Sequence, residues 1–343
     1  MEINKVGREM EESLLKKFLV INFSLVFMLG IFLYFAKEKG MELGNFAILQ
    51  MYFPAFAVIV GILTSGIDLE KTAKRSYFIY IIFVILSMFS LVAQIFIKDF
   101  NLVNTLVMVF SLVILISFLM EDKDKKEIAN LKLYSLKSNL FLILLFLLLY
   151  FLEAFLEITL TEGFGGISPL LSSDKLILVF IIILSFPLSF LPFLGEEYGW
   201  RFFLQPILQK KYGMRKGIIF LGFIWGIWHL PLNLFYYSAD GSQLTSILSQ
   251  IGFCIAVGIF FAYAYTKTKS IWSVVFIHYL NNNLVLFFSD KIDPSVIEGN
   301  VITWHDLVIK MILVFIVYGG FLFIKYNSKK EYRIDTPVER LNK

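Results

Sequence analysis

Residues 175–201 read KLILVFIIILSFPLSFLPFLGEEYGWR. From Leu176 to Gly195 there is no charged residue. A helix of ~20 apolar residues crosses a hydrocarbon core of ~30 Å, so this run reads as a membrane span. It ends on two adjacent carboxylates, Glu196 and Glu197, with Arg201 one turn further on. Nine other runs have the same character, at residues 18–36, 46–65, 77–97, 102–120, 139–160, 217–236, 247–266, 271–289 and 307–326. Hydrophobic residues make up 58% of the 343-residue chain and charged residues 17%. Soluble domains hold about 45–50% and about 25%. The ~10-residue alternation of a β-barrel is absent. The expected fold is therefore all-α, a polytopic transmembrane helical bundle of about ten spans.

The positive charge follows membrane topology and not a nucleic-acid surface. The N-terminal arm, the loops after the second, fourth, sixth and eighth runs, and the tail from Lys325 hold 25 of the 31 Lys and Arg residues. The other five loops hold five. Cytoplasmic loops carry such an excess, so both termini are expected in the cytoplasm, with an even number of spans. The first 17 residues mix both charge signs, and the run after them reads as a retained span. The single Cys254 excludes an intramolecular disulfide. Three regions are expected: 1–174 as scaffold with about five spans, 175–290 as the core carrying the chemistry, and 291–343 as the last span with a basic tail. The tail after Tyr326 is expected to fray or lie on the membrane surface.

Ionisable residues inside a span cost roughly 2.5–3.5 kcal/mol each on insertion scales, so each is a functional hypothesis. They concentrate in the sixth, seventh and ninth runs. In a continuing helix, Glu197 and Arg201 share a face at four-residue spacing, while Glu196 points about 100° away. Glu197 is then the partner of Arg201, and Glu196 is left for chemistry as a general base. The alternative is a pair of interfacial acids bridged to Arg201 and Lys210. In the seventh run Trp225 and His229 are four apart, and Asn233 extends that face. The alternative there is a hydrogen-bonded core histidine. In the ninth run His278 and Asn282 share a face. They offer two convergent donors, a metal ligand with its support, or interhelical polar glue. At 1.5 Å per residue, His278 lies ~12 Å and His229 ~18 Å from the cytoplasmic ends of their spans. Pro187, Pro192 and Pro231 bend these helices, so the groups converge in the cytoplasmic half of the membrane. The third histidine, His305, falls in an outer loop.

Taken in order, Glu196-Glu197 with Arg201, then His229, then His278 with Asn282 resemble the three motifs of the CPBP intramembrane peptidases. That family is also called Abi or CAAX-protease-like and includes the Rce1-type enzymes. The resemblance covers about residues 190–290. The segments Trp228-His229-Leu230-Pro231 and Ser270-Ile271-Trp272 are similar to those of bacterial or archaeal members. Two positions depart from the pattern: Trp225 stands where Phe is usual, and Phe202 where Gly is frequent. The resemblance implies an endopeptidase acting on a membrane-associated protein or peptide. By carry-over Glu196 activates water with His229 beside it, His278 and Asn282 stabilise the oxyanion, and Glu197, Arg201 and Trp225 support them. It leaves two mechanisms open, glutamate-activated water or a divalent metal such as zinc on Glu196, His229 and His278. No H-E-x-x-H signature is present. Two other classes remain beside the peptidase: a bacteriocin-immunity or binding protein of the same fold, and a proton-coupled transporter. No repeat of the transporter type is found in the chain.

Overall fold

The computed structural model of the protein describes residues 2–97, 100–161, 163, 173–288, 297–325 and 334–341. Among the described residues each apolar run named above is largely helical. The helices are α1 (Glu2–Glu38), α2 (Gly44–Gln50), α3 (Phe53–Leu63), α4 (Lys74–Phe96), α5 (Val103–Leu119), the short α6 (Lys123–Ile128) and α7 (Leu136–Thr161). They continue with α8 (Ser173–Ser189), α9 (Leu191–Glu197), a π-helix (Tyr198–Leu204), α10 (Gln205–Tyr212), α11 (Met214–Trp228) and α12 (Leu230–Phe235). The last are α13 (Gln243–Thr268), α14 (Ile271–Asn283), α15 (Trp304–Tyr318) and α16 (Pro337–Leu341). Among the described residues there is no strand, and Ser238 and Asn300 form one isolated bridge.

Among the described residues six helical stretches are long and apolar enough to cross a membrane: 7–38, 44–63, 74–96, 136–161, 243–268 and 304–323. A bent pair, Asp174–Ser189 with Leu191–Tyr212, makes a seventh. The expected count of about ten differs because the remaining runs fold as shorter or interrupted helices. Val103–Leu119 and Ile271–Phe287 are apolar but short, and the run at 217–236 breaks at His229.

The breaks have local causes. Pro187 lies inside α8 and Pro192 in the first turn of α9. A proline lacks the N–H that would continue the ladder, and the chain turns by 71° between the two helices. Pro231 likewise opens α12, which leaves His229 (φ −81°, ψ 1°) between α11 and α12. Close packing fixes the other side. A Cβ on Gly199 would lie 2.2 Å from the Pro54 Cβ, and one on Gly195 2.4 Å from the Met51 carbonyl oxygen. Only glycine lets α9 and the π-helix approach α3 this closely.

Large apolar side chains form the outer belt, among them Phe89 on α4, Leu148 on α7 and Ile316 on α15, each more than 60% exposed. Polar contacts gather at the two ends of the bundle. At one end Lys17 donates to the Thr64 carbonyl, Arg75 to Ser117, and the Trp272 indole to the Leu131 carbonyl. At the other, Lys37 pairs with Asp240 at 3.0 Å, and Thr245 donates to the Ile302 carbonyl. The N-terminal helix and the C-terminal segment meet at the first of these ends. Lys210 bridges Glu11 (3.0 Å) and Glu339 (3.2 Å), and Thr336 donates to Glu11.

This corrects the expectation of a frayed or surface-lying tail for residues 334–341. Ile334, Thr336 and Val338 are buried, and Arg340 donates to Asn130 Oδ1 and to the Glu127 carbonyl. The acids and carbonyls left open by α1 and the α6 turn hold it there. Residues 326–333 lie outside the described residues.

Candidate active site

The two carboxylates sit where regular helix gives way to π-helix. The wider π-turn commonly occurs as a local insertion at functional positions. Both side chains are buried, Glu196 at 2% exposure and Glu197 at 0%. They face different partners, as their 100° separation requires.

Glu197 is the charge-paired member. Its Oε2 lies 3.2 Å from Arg201 Nε, the four-residue pair expected from spacing. Its Oε1 lies 2.8 Å from His278 Nδ1, a link made across to α14. Arg201 is fully buried and stacks between two rings, with Cζ 4.7 Å from the Trp225 centroid and 5.2 Å from that of Phe261. No guanidinium nitrogen has a well-aligned hydrogen-bond partner. The cation is held by charge and by ring faces.

Glu196 is held by indoles. Its Oε2 accepts from Trp225 Nε1 at 2.7 Å and from Trp200 Nε1 at 3.2 Å. Among the described residues none donates to Oε1, so one oxygen is clamped and the other is open. Trp200 was missed by sequence reasoning. Its signal was present, because it stands four residues after Glu196, the spacing that identified the Glu197–Arg201 pair.

Trp225 joins Glu196 to His229. Its side chain binds the carboxylate, and its backbone carbonyl lies 2.8 Å from His229 Nδ1. A carbonyl only accepts, so Nδ1 carries the proton and Nε2 is the free acceptor of a neutral ring. Two further contacts hold this corner. Asn233 Nδ2 donates to the His229 carbonyl at 3.0 Å, and Ser246 in turn donates to Asn233 Oδ1. Gln50 Nε2 donates to the Trp228 carbonyl, and the Trp228 indole donates to Asn22. The N-terminal helices thus brace the site through residues in which sequence reasoning saw only scaffold.

His278 lies in an aromatic cage, with Phe193, Trp225 and Phe261 centroids 5.3, 5.5 and 5.6 Å from its ring. The structure pairs it with Glu197. Asn282, one turn on, is exposed and accepts from Asn281 Nδ2 at 3.0 Å. Lys210 does not join the carboxylates; it is engaged with Glu11 and Glu339. His305 is on the surface beside Asp306.

The sequence also allowed a divalent metal on Glu196, His229 and His278. Among the described residues no group of three or more His, Cys, Asp or Glu side chains could hold a metal ion. Glu196 Oε2 takes two N–H bonds, and both histidines engage Nδ1, which leaves Oε1 and the two Nε2 atoms without a bond among the described residues.

Fold and site together define a helical membrane protein with two carboxylates and two imidazoles buried in its interior. Residues 176–284 match the family model described as type II CAAX prenyl endopeptidase, Rce1-like. All seven residues singled out from sequence lie inside that match. The chain is also 29% identical over 203 residues to CAAX prenyl protease 2 of Methanococcus maripaludis, covering 55% of this chain and 72% of that protein. No solved structure matches the chain. Over residues 176–284 the chain is thus similar to the CPBP/Rce1-type family. That similarity supports an intramembrane endopeptidase.

Proposed function

We propose that the protein hydrolyses a peptide bond of a membrane-associated protein or peptide with water activated by Glu196. The observation that carries this is the asymmetric clamp on that carboxylate, with both indole N–H groups on Oε2 and Oε1 open. Water donates one proton towards Oε1, and His229 Nε2 accepts the other as a hydrogen bond. As Glu196 takes its proton, the water oxygen bonds to the carbonyl carbon. Glu197 keeps a proton on His278 Nδ1, and with a second proton on Nε2 that ring donates to the oxyanion. Asn282 supplies the companion donor. Glu196 then passes its proton to the departing amine as the C–N bond breaks, which returns the carboxylate. Preorganised donors of this kind contribute about 3–4 kcal/mol each.

The end of the bundle that carries most Lys and Arg is, in this reading, the cytoplasmic one, and substrate reaches the site from there. The printed name of the Methanococcus relative makes a prenylated CAAX-type peptide one substrate to try. The test is cleavage of membrane peptides, with and without a prenyl group, by purified wild type, Glu196→Gln and His229→Ala. The expectation is loss of cleavage in both variants at unchanged yield and thermal stability. Full activity in either variant overturns the mechanism. Stoichiometric zinc whose removal abolishes wild-type cleavage overturns the metal-free route.

A further inference from the structure

A second feature is a groove lined by none of the active-site residues, between the N-terminal part of α1, α10 and the C-terminal segment. Its volume is about 1220 Å³. Its floor is apolar, built from Leu15, Leu19, Val20 and Ile207. Its rim is charged, and those charges are unevenly spent. Glu11 and Glu339 are both taken by Lys210, and Glu12 is taken by Arg8 at 3.2 Å. Lys16 and Lys211, both exposed on the same rim, have no carboxylate partner among the described residues.

The groove also straddles the membrane boundary. It runs along α1 from Gly7 to Val20, or ~20 Å at 1.5 Å per residue. The apolar span of α1 opens at Phe18, so the lysines lie at headgroup depth and Leu19 and Val20 in hydrocarbon. Val20 is 57% exposed, which leaves the floor continuous with the lipid-facing belt. An acyl chain reaches it sideways without leaving the bilayer.

We propose that this groove binds one anionic phospholipid of the adjacent leaflet, its phosphate between Lys16 and Lys211 and an acyl chain along Leu15, Leu19 and Ile207. The two lysines without a carboxylate partner select the negative headgroup, Lys211 from beside the Tyr212 ring at 5.3 Å. The apolar floor selects a lipid over a soluble anion. The acids on the rim do not outweigh this: Glu12 pairs with Arg8, Glu11 and Glu339 share Lys210, and four cations face three carboxylates.

The experiment is native mass spectrometry of the full-length protein in neutral detergent, titrated with phosphatidylglycerol. Phosphatidylcholine and inorganic phosphate serve as competitors. The expected result is one tightly held phosphatidylglycerol, displaced by neither competitor. Each lysine near a charged headgroup is worth about fivefold in affinity. The Lys16→Gln/Lys211→Gln double variant should therefore bind about 25-fold more weakly. Leu19→Trp, which fills the floor and keeps both charges, should also lose the lipid. Equal binding of phosphatidylcholine, competition by inorganic phosphate, or unchanged affinity in the double variant overturns the proposal. Both lysines are exposed and far from the buried core, so their loss tests the groove and not the fold.

Discussion

The helix α7 and the stretch from Leu191 to Phe235 are both apolar, yet they are built differently. α7 runs unbroken for 26 residues and turns Leu144 and Leu148 outwards, each about two-thirds exposed. It holds one buried carboxylate, Glu153, at 8% exposure. The other stretch bends at Phe190, widens into a π-helix at Tyr198 and breaks again at His229. Both of its carboxylates are buried and partnered within 3.2 Å. In a bilayer an exposed irregular backbone has nothing to bond to, so interruptions survive only where protein surrounds them. The regular helix spends its residues on crossing lipid. The interrupted one is shielded by α3, α13 and α14, and aims side chains at one another.

The largest test of that contrast exchanges a carboxylate in each region. Glu196→Gln keeps the shape and one acceptor but removes the base. General-base catalysis contributes about 10²–10⁴-fold, so cleavage should fall by about 10³-fold or more. Glu153→Gln should leave cleavage within about twofold. Peptide turnover by the two purified variants decides it, and a comparable loss in both would dissolve the distinction.

The next effect is on stability. Removing one member of a buried ion pair leaves the other uncompensated, at about 3–5 kcal/mol. Glu197→Gln strands Arg201, which is fully buried, and should lower the thermal midpoint by several degrees. Glu197→Gln combined with Arg201→Met removes both charges and should regain most of that stability. The double variant should stay inactive, because His278 has lost its carboxylate. Recovery of activity would mean that the pair serves only to hold the helices.

Asn282 sharpens the comparison differently, because it is exposed beside a buried histidine. If it donates to the oxyanion, Asn282→Ala should reduce kcat about 10²-fold with KM nearly unchanged. An effect confined to KM would place it in substrate binding.

Much of this was legible in the sequence, for identifiable reasons. Apolar run length identified an all-helical fold but not the number of spans, and four-residue spacing found Glu197 with Arg201. The same rule applied to Glu196 would have found Trp200. The link from His278 to Glu197 spans 81 positions, and no local period encodes it. The bracing by Asn22 and Gln50 was hidden because amides in apolar runs look like incidental polarity. The docked C-terminal segment was hidden because its order comes from partners on α1, α10 and the α6 turn. The span count blurred where proline broke a run, since hydropathy records composition and not continuity.

The smallest expected effects fall on the two indoles, and they test whether the clamp on Glu196 is graded. A hydrogen bond to a charged group is worth about 1.5–3 kcal/mol. The Trp225 bond is short at 2.7 Å and the Trp200 bond longer at 3.2 Å. Trp225→Phe should therefore lower kcat about 50-fold, and Trp200→Phe about 15-fold, with KM within twofold in both. Trp225→Phe restores the aromatic usual in the family, so the ring face beside Arg201 survives and only the N–H is lost. Trp200 packs between Phe18 and Trp228, at 5.8 and 5.5 Å between centroids. Its variant needs a thermal midpoint beside the kinetics to separate packing from positioning. A Trp225→Phe enzyme with wild-type kcat would show that its indole only fills space, and would leave Trp200 as the sole donor that orients the carboxylate.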